Sequence, residues 1–179
     1  TMSDPLTLTV IGIVVLLALS AFFSGSETAL TGASRPRMHQ LESEGNRRAG
    51  TVNLLHARQE RLIGGILIGN NIVNILASAL ATSMMITLFG DAGVVYATIA
   101  MTTLVVIFSE VLPKTYAIRH ADDVAITVAR PIRFIVIALS PLSRAIEAVV
   151  GVLLRLMGEK ISSEGDAMRE QELRGAIRL

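Results

Sequence analysis

LIGGILIGNNIVNILASALATSMMITLFG, residues 62–90, contains no charged side chain, and that run decides the fold class. A helix crossing about 30 Å of hydrocarbon needs roughly 20 mainly apolar residues. Two further stretches, residues 5–26 and residues 92–109, are also free of charge. Apolar residues make up 51% of the chain, and the mean hydropathy is positive, unlike a soluble domain. The first run is a poor signal peptide, because it is long, lacks a basic n-region and follows Asp4. The chain reads as an all-α integral membrane protein with spans at about 6–31, 62–89 and 94–119.

The basic residues set an orientation. Arg35, Arg37, Arg47, Arg48, Arg58 and Arg61 lie between the first two spans, and none lies between the second and third. Lys114, Arg119, Arg130 and Arg133 come after the third. The expectation is an N-terminus outside the cell and a cytoplasmic C-terminus, in a multi-pass protein of the cell's inner (plasma) membrane. Residues 34–60 read as short interfacial helices with a turn at Gly45-Asn46. Residues 124–157 are apolar but interrupted by Arg130, Arg133, Arg144 and Arg155, which favours juxtamembrane amphipathic helices over a fourth span. Together these helices would form a cytoplasmic belt around the three spans. Residues 159–179 turn strongly charged and read as a linker into a further cytosolic domain.

Net charge is +1, which gives no footprint for nucleic acid. There is no cysteine, so disulfides and thiolate metal sites are excluded. No nucleophile–base constellation or phosphate loop appears, and the chain is not read as an enzyme.

Three polar clusters interrupt the spans. The first is Ser24-Gly25-Ser26-Glu27. Ser24 and Glu27 have capping-box spacing, while a break at Gly25 would expose backbone oxygens inside the membrane. The second is Gly69-Asn70-Asn71-Ile72-Val73-Asn74, where Asn70 and Asn74 share one helix face. Gly65 and Gly69 form a small-xxx-small pair, a mark of close helix packing or dimerisation. The third is Ser109-Glu110-Val111-Leu112-Pro113-Lys114. A carboxylate at membrane depth marks a functional site, and Pro113 cannot donate to the carbonyl of Ser109. Pairing of Glu110 with Lys114 is the alternative, disfavoured because Pro113 lies between them.

These groups offer only oxygen, and no histidine lies in a span. Magnesium, calcium, manganese or sodium suit such donors; zinc, copper and nickel do not. The candidate ligands are Ser24, Asn70, Asn74 and Glu110, with Ser26, Asn71 and Ser109 as second choices. Helix breaks at Gly25 and Pro113 are candidate flexing points for gating.

The three motifs, in this order, resemble the transmembrane domain of the CorC/CNNM (cyclin M) magnesium transporters. The resemblance spans about residues 6–158. It implies a homodimer with three spans per subunit and a juxtamembrane belt, exporting Mg2+ by alternating access coupled to Na+. It also implies that residues 159–179 lead into a CBS-pair domain that binds nucleotide and is missing from this chain, so no nucleotide is expected here. Two other functions fit the same residues: a magnesium-sensing membrane anchor and a passive cation channel.

Overall fold

The computed structural model describes residues 5–156, so the charged segment 159–179 lies outside the described residues. The described regular elements are all helical. The chain divides after Ser140 into two units, Thr1–Ser140 and Pro141–Leu179. Every candidate site residue belongs to the first.

Helix α1, Pro5–Gly32, takes up the first apolar run and continues through Ser24, Gly25 and Glu27 without interruption. Neither the expected break nor a capping-box start is found. A lone glycine costs a helix roughly 1 kcal/mol relative to alanine, too little to interrupt one packed along its length.

Two short helices follow, α2 (Arg35–Ser43) and α3 (Arg47–His56), as the polar, arginine-rich composition predicts. Gly45, at φ 94°, supplies the left-handed turn between them. The Asn46 side chain then caps α3 by accepting from the N–H groups of Arg48 and Ala49 at 3.0 and 3.3 Å. Asp122 ties this pair to the end of the third span. It accepts from the Ser34 N–H at 2.8 Å and pairs with Arg37 at 3.1 Å.

Helix α4, Gln59–Phe89, contains the second apolar run. Gly90–Ala92 forms one tight turn, and α5, Gly93–Leu104, runs back. Gly93 sits directly against the Met85 carbonyl, where no side chain fits. The third span continues as a π-helical segment, Val105–Val111, and then as α6, Leu112–Arg119. Pro113 directly follows the π segment, as the second residue of α6. The Leu112 N–H donates to the carbonyl of Ile107, five residues back. This wider register absorbs the disruption that a proline brings, so the expected break at Pro113 is also not found.

Helix α7, Ala121–Leu156, runs through Pro131 and Pro141. Three helical stretches are long and apolar enough to cross a membrane: Leu6–Gly32, Gln59–Arg119 and Ala121–Leu153. The second, at 61 residues, is folded back at Gly90–Ala92 into two helical arms. The third is the segment that its arginines assigned to the interface. Up to Ser140 it has the expected amphipathic character. Ala125, Ala129 and Ile132 are buried, while Arg130 and Arg133 are exposed.

The spans pack through two apolar clusters. One joins Phe23, Leu30, Met38, Val52, Leu62, Ile66, Ala117 and Ile132. The other joins Ile13, Ala77, Ala81 and Met101. Gly65 faces Val136 of α7, and Gly69 faces the Phe23 ring. The small-xxx-small pair is therefore used for packing inside the chain. Beside these clusters, α1, α4 and the π segment contribute polar residues to one layer.

Candidate functional site

The polar layer lies well inside the spans. Ser24 is eight residues from the end of α1, Asn70 eleven from the start of α4, and Glu110 nine from the end of α6. At 1.5 Å per residue these positions are about 12–16 Å from the helix ends.

Glu110 is the centre of the layer, and all three spans supply its partners. The Ser24 hydroxyl donates to Oε2 at 3.0 Å. The Asn70 amide nitrogen donates to Oε1 at 3.1 Å. The Lys114 ammonium lies 3.1 Å from Oε2. The pairing disfavoured from sequence is therefore present. The proline breaks neither the helical path nor the proximity of its two neighbours, because the π register carries the chain past it.

A second row of hydrogen bonds fixes these partners. Ser20, one turn before Ser24, donates to the Asn70 amide oxygen at 2.8 Å. The Asn70 carboxamide thus links α1 to Glu110 through both its ends. The fully buried Ser109 hydroxyl donates to the Leu17 carbonyl at 3.1 Å, which pins the π segment against α1. Ser20 had a readable signal, since it lies four residues before Ser24 on the same face. The π segment had none beyond the proline itself.

The remaining candidates divide. Asn74 is half-buried, and its amide oxygen is buried without a hydrogen-bond partner. An acceptor left unpaired in this setting carries a desolvation penalty, which a cation or a water would relieve. The Ser26 hydroxyl is likewise buried and unpaired, two residues from Ser24 and so on another face of α1. Asn71 is exposed and turned away from the Glu110 layer. Of the seven candidate ligands, the structure joins Ser24, Asn70 and Glu110 by direct hydrogen bonds.

Chemically, the layer carries hydroxyl, amide and carboxylate oxygens, with the one carboxylate charge offset by the Lys114 ammonium. No group of three or more His, Cys, Asp or Glu placed to hold a metal ion occurs among the described residues. A divalent ion here would meet one carboxylate, amide and hydroxyl oxygens, and whatever water it retains. The Glu110 side chain is 29% exposed at membrane depth. A carboxylate there avoids lipid by facing a water-filled path or another protein surface.

Comparison with known proteins agrees with the motifs. Residues 11–179 match the family described as the cyclin M transmembrane N-terminal domain. The chain is 41% identical over 160 residues to the UPF0053 inner membrane protein YfjD of Escherichia coli, covering 89% of this chain and 37% of that protein. It is 35% identical to a UPF0053 protein of Haemophilus influenzae, covering 98% of this chain and 42% of the relative. A chloroplastic DUF21 domain-containing protein of Arabidopsis thaliana is 36% identical, over 92% of this chain and 25% of its own length. The chain spans less than half the length of each of these relatives.

Proposed function

The chain belongs to the cyclin M transmembrane N-terminal domain family, and from that membership we propose that it carries magnesium across the membrane. One observation supports the reading above all others: a single carboxylate within a span, held by hydroxyl and amide groups from two other spans. Such a group is rarely retained for packing alone.

In this proposal Mg2+ is the cargo. Glu110 supplies the charge, Asn70 and Asn74 supply amide oxygens, and Ser24 supplies its hydroxyl. Ser26, Asn71 and Ser109 are not needed as ligands. Two local changes accompany binding. Lys114 withdraws from Oε2, since an ammonium and a divalent ion repel each other at one carboxylate. The Asn70 amide turns, because its nitrogen and not its oxygen now faces Glu110. Both moves are side-chain rotations, and neither needs the helix breaks first expected at Gly25 and Pro113.

The working unit is a homodimer in the inner (plasma) membrane. The partly exposed Glu110 and the exposed Asn71 are then shielded from hydrocarbon by the second copy or by an aqueous path. The arginine-rich side, with α2, α3 and α7, faces the cytoplasm. Sodium moving inward drives magnesium outward by alternating access.

The test is flux. Protein in sealed vesicles loaded with Mg2+ is given an opposing Na+ gradient, and Mg2+ release is followed with a fluorescent indicator. Sodium-dependent release that is lost in Glu110→Gln supports the proposal. Release without sodium identifies a channel, and binding without release identifies a sensing anchor.

A further inference from the structure

A second polar site lies outside the Glu110 layer. An open groove of about 900 Å³ runs between the α2–α3 turn and α7. Arg47 from α3 and Arg130 and Arg133 from α7 line it, beside the apolar side chains Leu54, Phe134 and Ile137. Phe134 is 75% exposed and Ile137 60%. Among the described residues these three guanidiniums form no ion pair with a carboxylate, unlike Arg37 with Asp122 and Lys114 with Glu110. The one acid on the wall, Glu42, already accepts from the Asn53 amide at 2.6 Å. Arg47 is also the first residue of α3, whose N-terminus adds its positive dipole end to the same groove.

We propose that this groove binds the headgroup of an anionic phospholipid, with the acyl chains lying along Phe134 and Ile137. Three unpaired guanidiniums call for a phosphate, to which arginine binds through a planar fork. The adjoining exposed aromatic and aliphatic side chains call for hydrocarbon, which a free anion lacks. On α7, Arg130, Arg133, Phe134 and Ile137 recur at three- and four-residue spacing, so both kinds of contact lie on one helix face. The groove is built on the helices that connect the spans. α3 ends three residues before α4 begins, and α7 begins two residues after α6 ends. Basic pockets beside membrane spans are recognised sites for acidic lipid headgroups. The inference does not depend on what Glu110 binds.

Lipid retention tests it. The purified chain is titrated in detergent with phosphatidylglycerol or phosphatidylcholine and read by native mass spectrometry. Phosphatidylglycerol should bind about tenfold or more tightly than phosphatidylcholine, because basic residues at a membrane surface attract anionic headgroups. The triple change Arg47→Gln, Arg130→Gln, Arg133→Gln should abolish that preference. Should the triple variant misfold, Phe134→Glu places one acid on an exposed position and should give the same loss. Equal binding of the two lipids overturns the proposal. So does full displacement of phosphatidylglycerol by millimolar inorganic phosphate, which would show a free-anion site. The chain has no cysteine, so Phe134→Cys reports cleanly on a protein occupant. Complete disulfide crosslinking of that variant in vesicles would assign the groove to a second copy and overturn the lipid assignment.

Discussion

Gly25 of the first span and Pro113 of the third are packed against each other. A Cβ placed on Gly25 would lie 3.4 Å from the Pro113 Cβ and 3.5 Å from its carbonyl oxygen. The two residues that sequence marks as independent breaks instead form one contact between unbroken helices. That contact sits one residue from Ser24 and three from Glu110, the pair whose hydrogen bond joins the two spans.

Gly25→Val should therefore push α6 away from α1, at a cost of about 1–3 kcal/mol from overpacking. Gly25→Ala meets Pro113 at the edge of ordinary contact and should be nearly neutral. Thermal unfolding in detergent measures both. Equal stability of the valine variant and the wild type would show that the helices do not depend on this approach.

Lys114→Met removes the ammonium 3.1 Å from Glu110 Oε2. If the lysine competes with the cargo, the variant should bind Mg2+ several-fold more tightly, an effect that shrinks as salt screens the pair. Calorimetric titration at low and high ionic strength measures this. Weaker binding in the variant would mean that Lys114 positions the carboxylate and does not compete for it.

Ser20 and Asn70 should behave as one unit. Ser20 Oγ holds the amide oxygen whose nitrogen reaches Glu110. In a double-mutant cycle, Ser20→Ala and Asn70→Ala should couple by about 0.5–1.5 kcal/mol, the range for hydrogen bonds between membrane helices. Purely additive losses of stability would remove Ser20 from the network.

Gly69→Ala should destabilise by about 1–3 kcal/mol, because the added carbon would sit 2.8 Å from the Phe23 ring. Phe23→Leu in the same chain should recover much of the loss. Unfolding midpoints of the two single variants and the double variant decide it. A double variant no better than Gly69→Ala alone would contradict the packing.

How much of this was legible in the chain differs by element. Three uncharged runs fixed the membrane class, and Gly45-Asn46 fixed the turn between α2 and α3. For both, the deciding physics is local: hydrocarbon excludes charge, and a left-handed turn favours glycine. Ser24, Asn70 and Glu110 were also legible as costly polar groups in apolar runs. Their meeting was not, since residues 24, 70 and 110 are joined only by packing. Gly25, Pro113 and Lys114 were misread for the same reason. A helix tolerates a glycine, or a proline next to a wider turn, when neighbouring helices hold it, and sequence shows the breaker without the support.

By itself, then, the sequence determined a helical membrane domain with oxygen-bearing residues at depth, because burial in lipid penalises each residue individually. Only the tertiary structure decided which of those residues share one site. It brought Ser20 into that site, set Lys114 on the carboxylate and turned Asn71 away, because orientation around a helix axis is set by contacts with the other spans.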